Sequence, residues 1–194
     1  MRLLLVVLAA LAAAGHAFAW TPDAPALARM QDGRPYVEVA PGADGASGRI
    51  RAGIDVEAPR DVVWRVITDC ALAPRMVASL RSCKVLEKDP GGRWDVREHV
   101  SRPRMLPAVR SVFRSDYDPP GRIVFRKAGG ELKMLNGEWR LEPLRGGAAT
   151  RVLYEQNAAF PYRVPGMVIR MGMRRDVPQA LLALRRVAEA RAGT

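Results

Sequence analysis

One run of strand-like segments, cut at intervals by proline and glycine, constrains this chain more than any other feature. The segments cover 82–88, 93–102, 108–117, 122–128, 131–144 and 150–160. Between them stand Asp89-Pro90-Gly91-Gly92, Asp118-Pro119-Pro120-Gly121, Gly129-Gly130 and Arg145-Gly146-Gly147. Such clusters are hairpin punctuation, because glycine and proline supply the backbone angles of tight reversals. Short strands joined this way pair with their sequence neighbours, so the run predicts an antiparallel meander.

Different periodicities flank the run. Ile50, Ala52, Ile54 and Val56 alternate with Arg49, Arg51, Asp55 and Glu57, a strand with one apolar face. Ala58-Pro59-Arg60-Asp61 then leads into Val62, Val63, Trp64, Val66 and Ile67, an apolar stripe at helical spacing. A second short helix is expected over 71–80, with Pro74 in its first turn, where a missing N–H costs little. The last segment, 164–191, reads as a long helix. Met167, Val168, Met171, Leu181, Leu182, Leu184 and Val187 form its apolar side, and Arg170, Arg174, Arg175, Arg185 and Arg186 its wet side. Met173 falls off that stripe, and Pro178 is expected to kink or restart the helix. Residues 20–48 read as an arm rich in Pro, Gly, Asp and Ala, with Tyr36-Val37-Glu38-Val39 as a candidate edge strand. The order predicts the α+β class in a single domain over 49–191.

The N-terminus carries Met1-Arg2, an uncharged apolar stretch from Leu3 to Ala14, and the small-residue triplet Ala17-Phe18-Ala19. That arrangement predicts a cleaved secretory signal peptide over residues 1–19, and hence a periplasmic or secreted protein. The apolar run is shorter than the roughly 20 residues that a membrane span needs. The net charge of +11 would ordinarily suggest nucleic acid or anionic lipid. Here the basic residues are mainly dispersed arginines, and an exported chain rarely meets nucleic acid, so no nucleic-acid partner is expected. A solvated basic surface and a weak contact with anionic membranes both remain open. Beyond the leader there is one histidine, His99, and two cysteines, so no metal cluster is expected. No GxSxG, P-loop or GxGxxG pattern occurs, and no catalytic residue or cofactor is assigned.

The stretches IDVEAPRDVVWRVITD, SLRSCKVLEKDPGGRWDVREH, GGELKMLNGEWRLEPLRGGAATRVLYE and VIRMGMRRDVPQALLALRR carry a family likeness. Together they resemble the START-like (SRPBCC) helix-grip superfamily, in particular its polyketide cyclase/dehydrase and coenzyme Q-binding branch. The resemblance implies a curved antiparallel sheet of about six or seven strands wrapped around the C-terminal helix, with two short helices after the first strand. It also implies a cavity between sheet and helix for a lipid or other apolar small molecule. With a single histidine beyond the leader and no catalytic signature, the expectation is a monomer that binds this molecule without catalysis. Alternatives are a filled core that serves a membrane-surface or partner-binding role, and an enzyme of the cyclase or hydrolase kind.

Within that layout the candidate cavity residues are Met105, Met134, Trp139, Tyr154, Met167 and Met171. Methionine adapts to irregular ligands, although it also fills ordinary core gaps. Glu138 and Asn136 are further candidates for polar groups in the cavity, and Tyr162-Arg163-Val164-Pro165-Gly166 is either a gate or a plain connection. His99 sits beside Glu98, but neighbouring strand residues point to opposite faces, so the two cannot form a dyad. His99 alternates with Trp94, Val96 and Val100, which predicts that it is solvated. Cys70 ends the first helix and Cys83 opens the strand after the second, an order that, in an exported chain, implies a Cys70–Cys83 disulfide. N-terminal sequencing of the exported protein is expected to begin at or near Trp20; a start at Met1 would rule out cleavage.

Overall fold

The computed structural model describes residues 20–103, 107–163 and 165–193. Elements follow in the order α1 (Ala24–Gln31), β1 (Tyr36–Pro41), β2 (Ser47–Val56), α2 (Arg60–Thr68), α3 (Ala73–Met76), β3 (Leu80–Lys88), β4 (Trp94–Ser101), β5 (Val109–Asp118), β6 (Arg122–Gly130), β7 (Met134–Leu144), β8 (Ala149–Ala159) and α4 (Gly166–Ala192). The strands form one antiparallel sheet in the order β1-β2-β8-β7-β6-β5-β4-β3. The meander from β3 to β8 follows the chain, and β2 closes onto β8 through the long-range register Ile54↔Val152. The Tyr36 patch supplies the eighth strand, paired to β2 at one edge. At the other edge β3 pairs with β4 through two register breaks, at Leu80/Ser82 and Val85/Glu87.

The main core lies where the alternation of β2 meets the helical stripes. Ile50, Ala52, Ile54 and Val56 pack with Val152 and Leu141 of the sheet, with Val62, Val63 and Val66 of α2, and with Leu181, Leu184 and Ala188 of α4. Fully burying each larger side chain contributes about 1.5–3 kcal/mol, enough to fix α2 and α4 on this face. Helix α4 runs through Pro178 as one element. Helix α3 is a single turn rather than the longer helix expected over 71–80: Val77 is already extended, and Leu80 begins pairing with Ser101. Met173 is half-buried against the core rather than off it.

The segment that precedes β1, with α1, is folded onto the opposite, outer face. The Asp23 carboxylate caps α1 by accepting from the Ala26 amide at 3.0 Å. Ala26 and Met30, both fully buried, pack with Trp20 and Leu153. The Trp20 and Tyr36 rings stack with centroids 5.6 Å apart. Gly53 makes this approach feasible, since a Cβ there would lie 2.5 Å from the Met30 sulfur. Met30→Ala is expected to cost about 2–4 kcal/mol by urea unfolding. An unchanged midpoint would mean that α1 lies outside the cooperative unit.

Candidate functional site

Helix α4 packs on β1, β2, α2 and α3. Beyond it, the inner faces of β4 to β8 carry a continuous row of rings. His99 meets Phe113 edge-on with centroids 4.8 Å apart. Phe113 meets Phe125 at 6.0 Å, and Phe125 stacks on Tyr154 at 6.1 Å. Tyr154 lies 4.3 Å from Trp139, its directly paired cross-strand neighbour. Aromatic pairs at these separations gain beyond their buried area, so the row is rigid as well as apolar. Gly137 keeps the middle of it flat, because a Cβ there would lie 2.6 Å from the Phe125 ring. Val109, Leu132, Leu135, Phe160 and Tyr162 enclose the far side. His99, Phe113, Trp139 and Tyr154 are all half-buried, and Phe125 is buried.

A polar brace stands at one end of the row. Asp95, Arg97 and His99 share a face of β4, and Asp95 and Arg97 are buried. Arg97 donates through Nε to both Asp95 oxygens, at 3.0 and 2.8 Å, and through Nη2 to the Thr68 carbonyl at 2.7 Å and the Tyr117 hydroxyl at 2.9 Å. Burial alone would lower the Arg97 pKa, but Asp95 and Tyr117 more than compensate and it is raised. Burial is also the main cause of the raised Tyr117 pKa. Because Thr68 ends α2, Arg97 ties that helix to the sheet. The Cys70–Cys83 disulfide, with Cα atoms 5.5 Å apart, ties it a second time. Cys83 lies directly across from His99 in the β3–β4 register. Closing a loop of this size contributes about 3 kcal/mol in the chain-entropy account.

The structure brings together only part of the set expected from sequence. Trp139 and Tyr154 are in contact within the row. Met134 is 37 % exposed and alternates with the inward Leu135, so it points away from the row. Met167 and Met171 are 68 % and 55 % exposed on α4 and lie outside the core. They lie roughly 100° around the helix from Met173, Val177, Leu181 and Leu184, the stripe that packs against the core. Met105 lies outside the described residues. Glu138 and Asn136 point to the outer face, where Glu138 binds Arg122 at 2.8 Å and Arg140 at 3.2 Å. His99 is not solvated: its ring is half-buried against Phe113, and its Nε2 is buried without a hydrogen-bond partner among the described residues. Sequence reasoning missed Phe113 and Phe125. Their signal was present, aromatics on neighbouring strands at inward positions of a meander, but only the register shows that they meet.

Among the described residues there is no group of three or more His, Cys, Asp or Glu placed to hold a metal ion. No described helix is long and apolar enough to cross a membrane.

The family model for polyketide cyclase / dehydrase and lipid transport matches residues 56–185. No curated protein matches the chain in sequence. Among solved structures, the protein TTHA0849 from Thermus thermophilus is similar with a TM-score of 0.64 and 21% identity, over 74% of this chain and 99% of that one. The ZhuI aromatase/cyclase from Streptomyces sp. R1128 gives 0.64 and 18%, over 75% and 95%. A START superfamily protein from Mycobacterium smegmatis gives 0.58 and 15%, over 75% and 97%. At these identities the likeness is one of fold.

Burial, reinforced by the Arg97 cation and only partly offset by Asp95, brings the His99 pKa down from 6.5 to about 4. Between these values the unfolded chain takes up a proton that the folded chain refuses. Stability from this group is therefore intact above pH 6.5, falls as the pH drops toward 4, and changes no further below that. The loss is on the order of 3 kcal/mol. Urea unfolding at pH 7 and pH 4 is expected to show the wild type losing about that much more than His99→Gln; equal losses would place the ring in water.

Proposed function

The chain belongs to the polyketide cyclase / dehydrase and lipid transport family, and we propose that it is an exported binding protein holding a lipid or other apolar molecule, unchanged, against its inner face. The observation that carries this reading is the aromatic row from His99 to Trp139, which runs from the margin of the core under α4 across the sheet to β4. Concave apolar surface with few, well-placed polar groups is the usual form of a small-molecule site. His99 stands at the end of the row, neutral at pH 7, with its Nε2 buried and unpartnered among the described residues.

The titratable groups on this face favour holding over converting. Asp95 is engaged by Arg97, the Tyr117 phenol is pushed up by burial, and a histidine with a pKa of about 4 is a weak base at neutral pH. Export is supported by the leader-like first nineteen residues and by the disulfide, a bond that persists in oxidising compartments. A cyclase-type enzyme is the second reading, favoured by the presence of Asp95, Arg97, His99 and Tyr117 on one face.

Native mass spectrometry of the purified protein, followed by solvent extraction, is the test. The expected result is a noncovalent adduct in the lipid mass range, recovered without a change of mass after incubation with the protein. Phe113→Ser, with its circular dichroism unaltered, is expected to lower occupancy about tenfold or more, given the apolar contact it removes. A protein free of adduct that takes up no added apolar compound would defeat both readings, and a guest recovered with altered mass would favour the cyclase.

A further inference from the structure

The first half of α4 presents a surface unlike the rest of that helix. Met167 and Met171 are 68 % and 55 % exposed, whereas Leu181 and Leu184 further along are buried. Met167, Met171, Arg174 and Arg175 line one hollow of about 430 Å³. Their spacing, four, then three, then one residue, puts all four on one face of the helix. Both arginines are exposed, as are the flanking Arg163 and Pro165. A face built of two extended thioethers and two guanidinium groups matches neither the core nor an ordinary solvated helix surface.

We propose that this face of α4 docks the protein on an anionic phospholipid surface. Guanidinium groups bind phosphate oxygens in a planar, two-pronged fashion, and Arg174 and Arg175 would meet the head groups. Unbranched methionine side chains adapt to disordered apolar surroundings, and Met167 and Met171 would enter the upper acyl layer beside them. The net charge of +11 draws the whole molecule toward such a surface before contact. The proposal concerns a surface distinct from the aromatic row and holds whatever that row binds.

The test is flotation of the full-length mature protein with large unilamellar vesicles of equal phosphatidylcholine and phosphatidylglycerol, alongside pure phosphatidylcholine. Binding to the anionic vesicles, weakened by 0.5 M salt and absent with the neutral ones, is the expected result. Each basic side chain at such a surface is worth about fivefold in affinity, so Arg174→Gln with Arg175→Gln is expected to weaken binding about thirtyfold. Met167→Ser with Met171→Ser is expected to weaken it about tenfold, at unchanged net charge. Arg81→Gln with Lys84→Gln, which removes the same charge from the exposed β3 edge, is expected to leave most of the binding in place. Sedimentation without vesicles accompanies these measurements. The proposal is overturned if the wild type fails to bind anionic vesicles, if the β3 pair weakens binding as much as the α4 pair, or if the methionine pair has no effect. It is equally overturned if the α4 face holds a dimer that the methionine pair dissolves.

Discussion

The width of the sheet governs everything else in this molecule. Eight strands spaced about 4.8 Å apart span roughly 34 Å, whereas a helix with its side chains is about 10–12 Å across. One long helix therefore shields two or three strands and no more. Helix α4 takes the β1–β2 side, where the apolar alternation of β2 is strongest. The remaining inner surface has to be completed by its own side chains, by the short helices, or by a guest. The aromatic row is what the chain places there, and the Asp95–Arg97 pair with the disulfide keeps α2 in position at its margin.

Charge is distributed to serve the same architecture. On the outer face, Glu138 and Glu155 sit directly opposite each other on β7 and β8, both buried. Like charges in that position repel, and each is countered from a neighbouring position, Glu138 by Arg122 and Arg140, and Glu155 by Arg51. Asp55 and Arg151 pair across β2 and β8 in the same manner, at 2.8 Å. Buried pairs of this kind add little net stability once desolvation is counted, but losing one partner leaves an uncompensated charge. The many dispersed arginines of the sequence thus include a set of cross-strand ties as well as solvated charge.

How much of this was legible beforehand varied with the kind of force involved. The alternation Ile50, Ala52, Ile54, Val56 is local and faces a filled core, so the sequence showed both the strand and its direction. Strand β4 inverts the rule. Its inward residues are Asp95, Arg97 and His99, while Trp94, with Arg114 4.2 Å above its ring, lies on the outer side. Alternation assumes that the inner side is the apolar one, and a sheet only half covered does not obey that assumption. Helix α1 was missed because its burial depends on Gly53 and Leu153, which are distant in sequence. The exposed methionines of α4 were misplaced for a simpler reason: at helical spacing Met167 and Met171 fall to one side of the stripe of Met173, Val177, Leu181 and Leu184 that meets the core.

The broken register of β3 has a consequence for the life of the protein in a crowded compartment. An open sheet ends in a row of unpaired amides and carbonyls, an invitation for any extended chain to add itself as a further strand. Here that last strand is interrupted twice and carries Arg81, Lys84, Glu87 and Lys88 exposed to water. Each interruption twists the strand out of plane, and the charges resist a dry junction with another sheet. The molecule can thus keep a wide, incompletely roofed sheet without seeding fibrils or runaway assembly from its own rim.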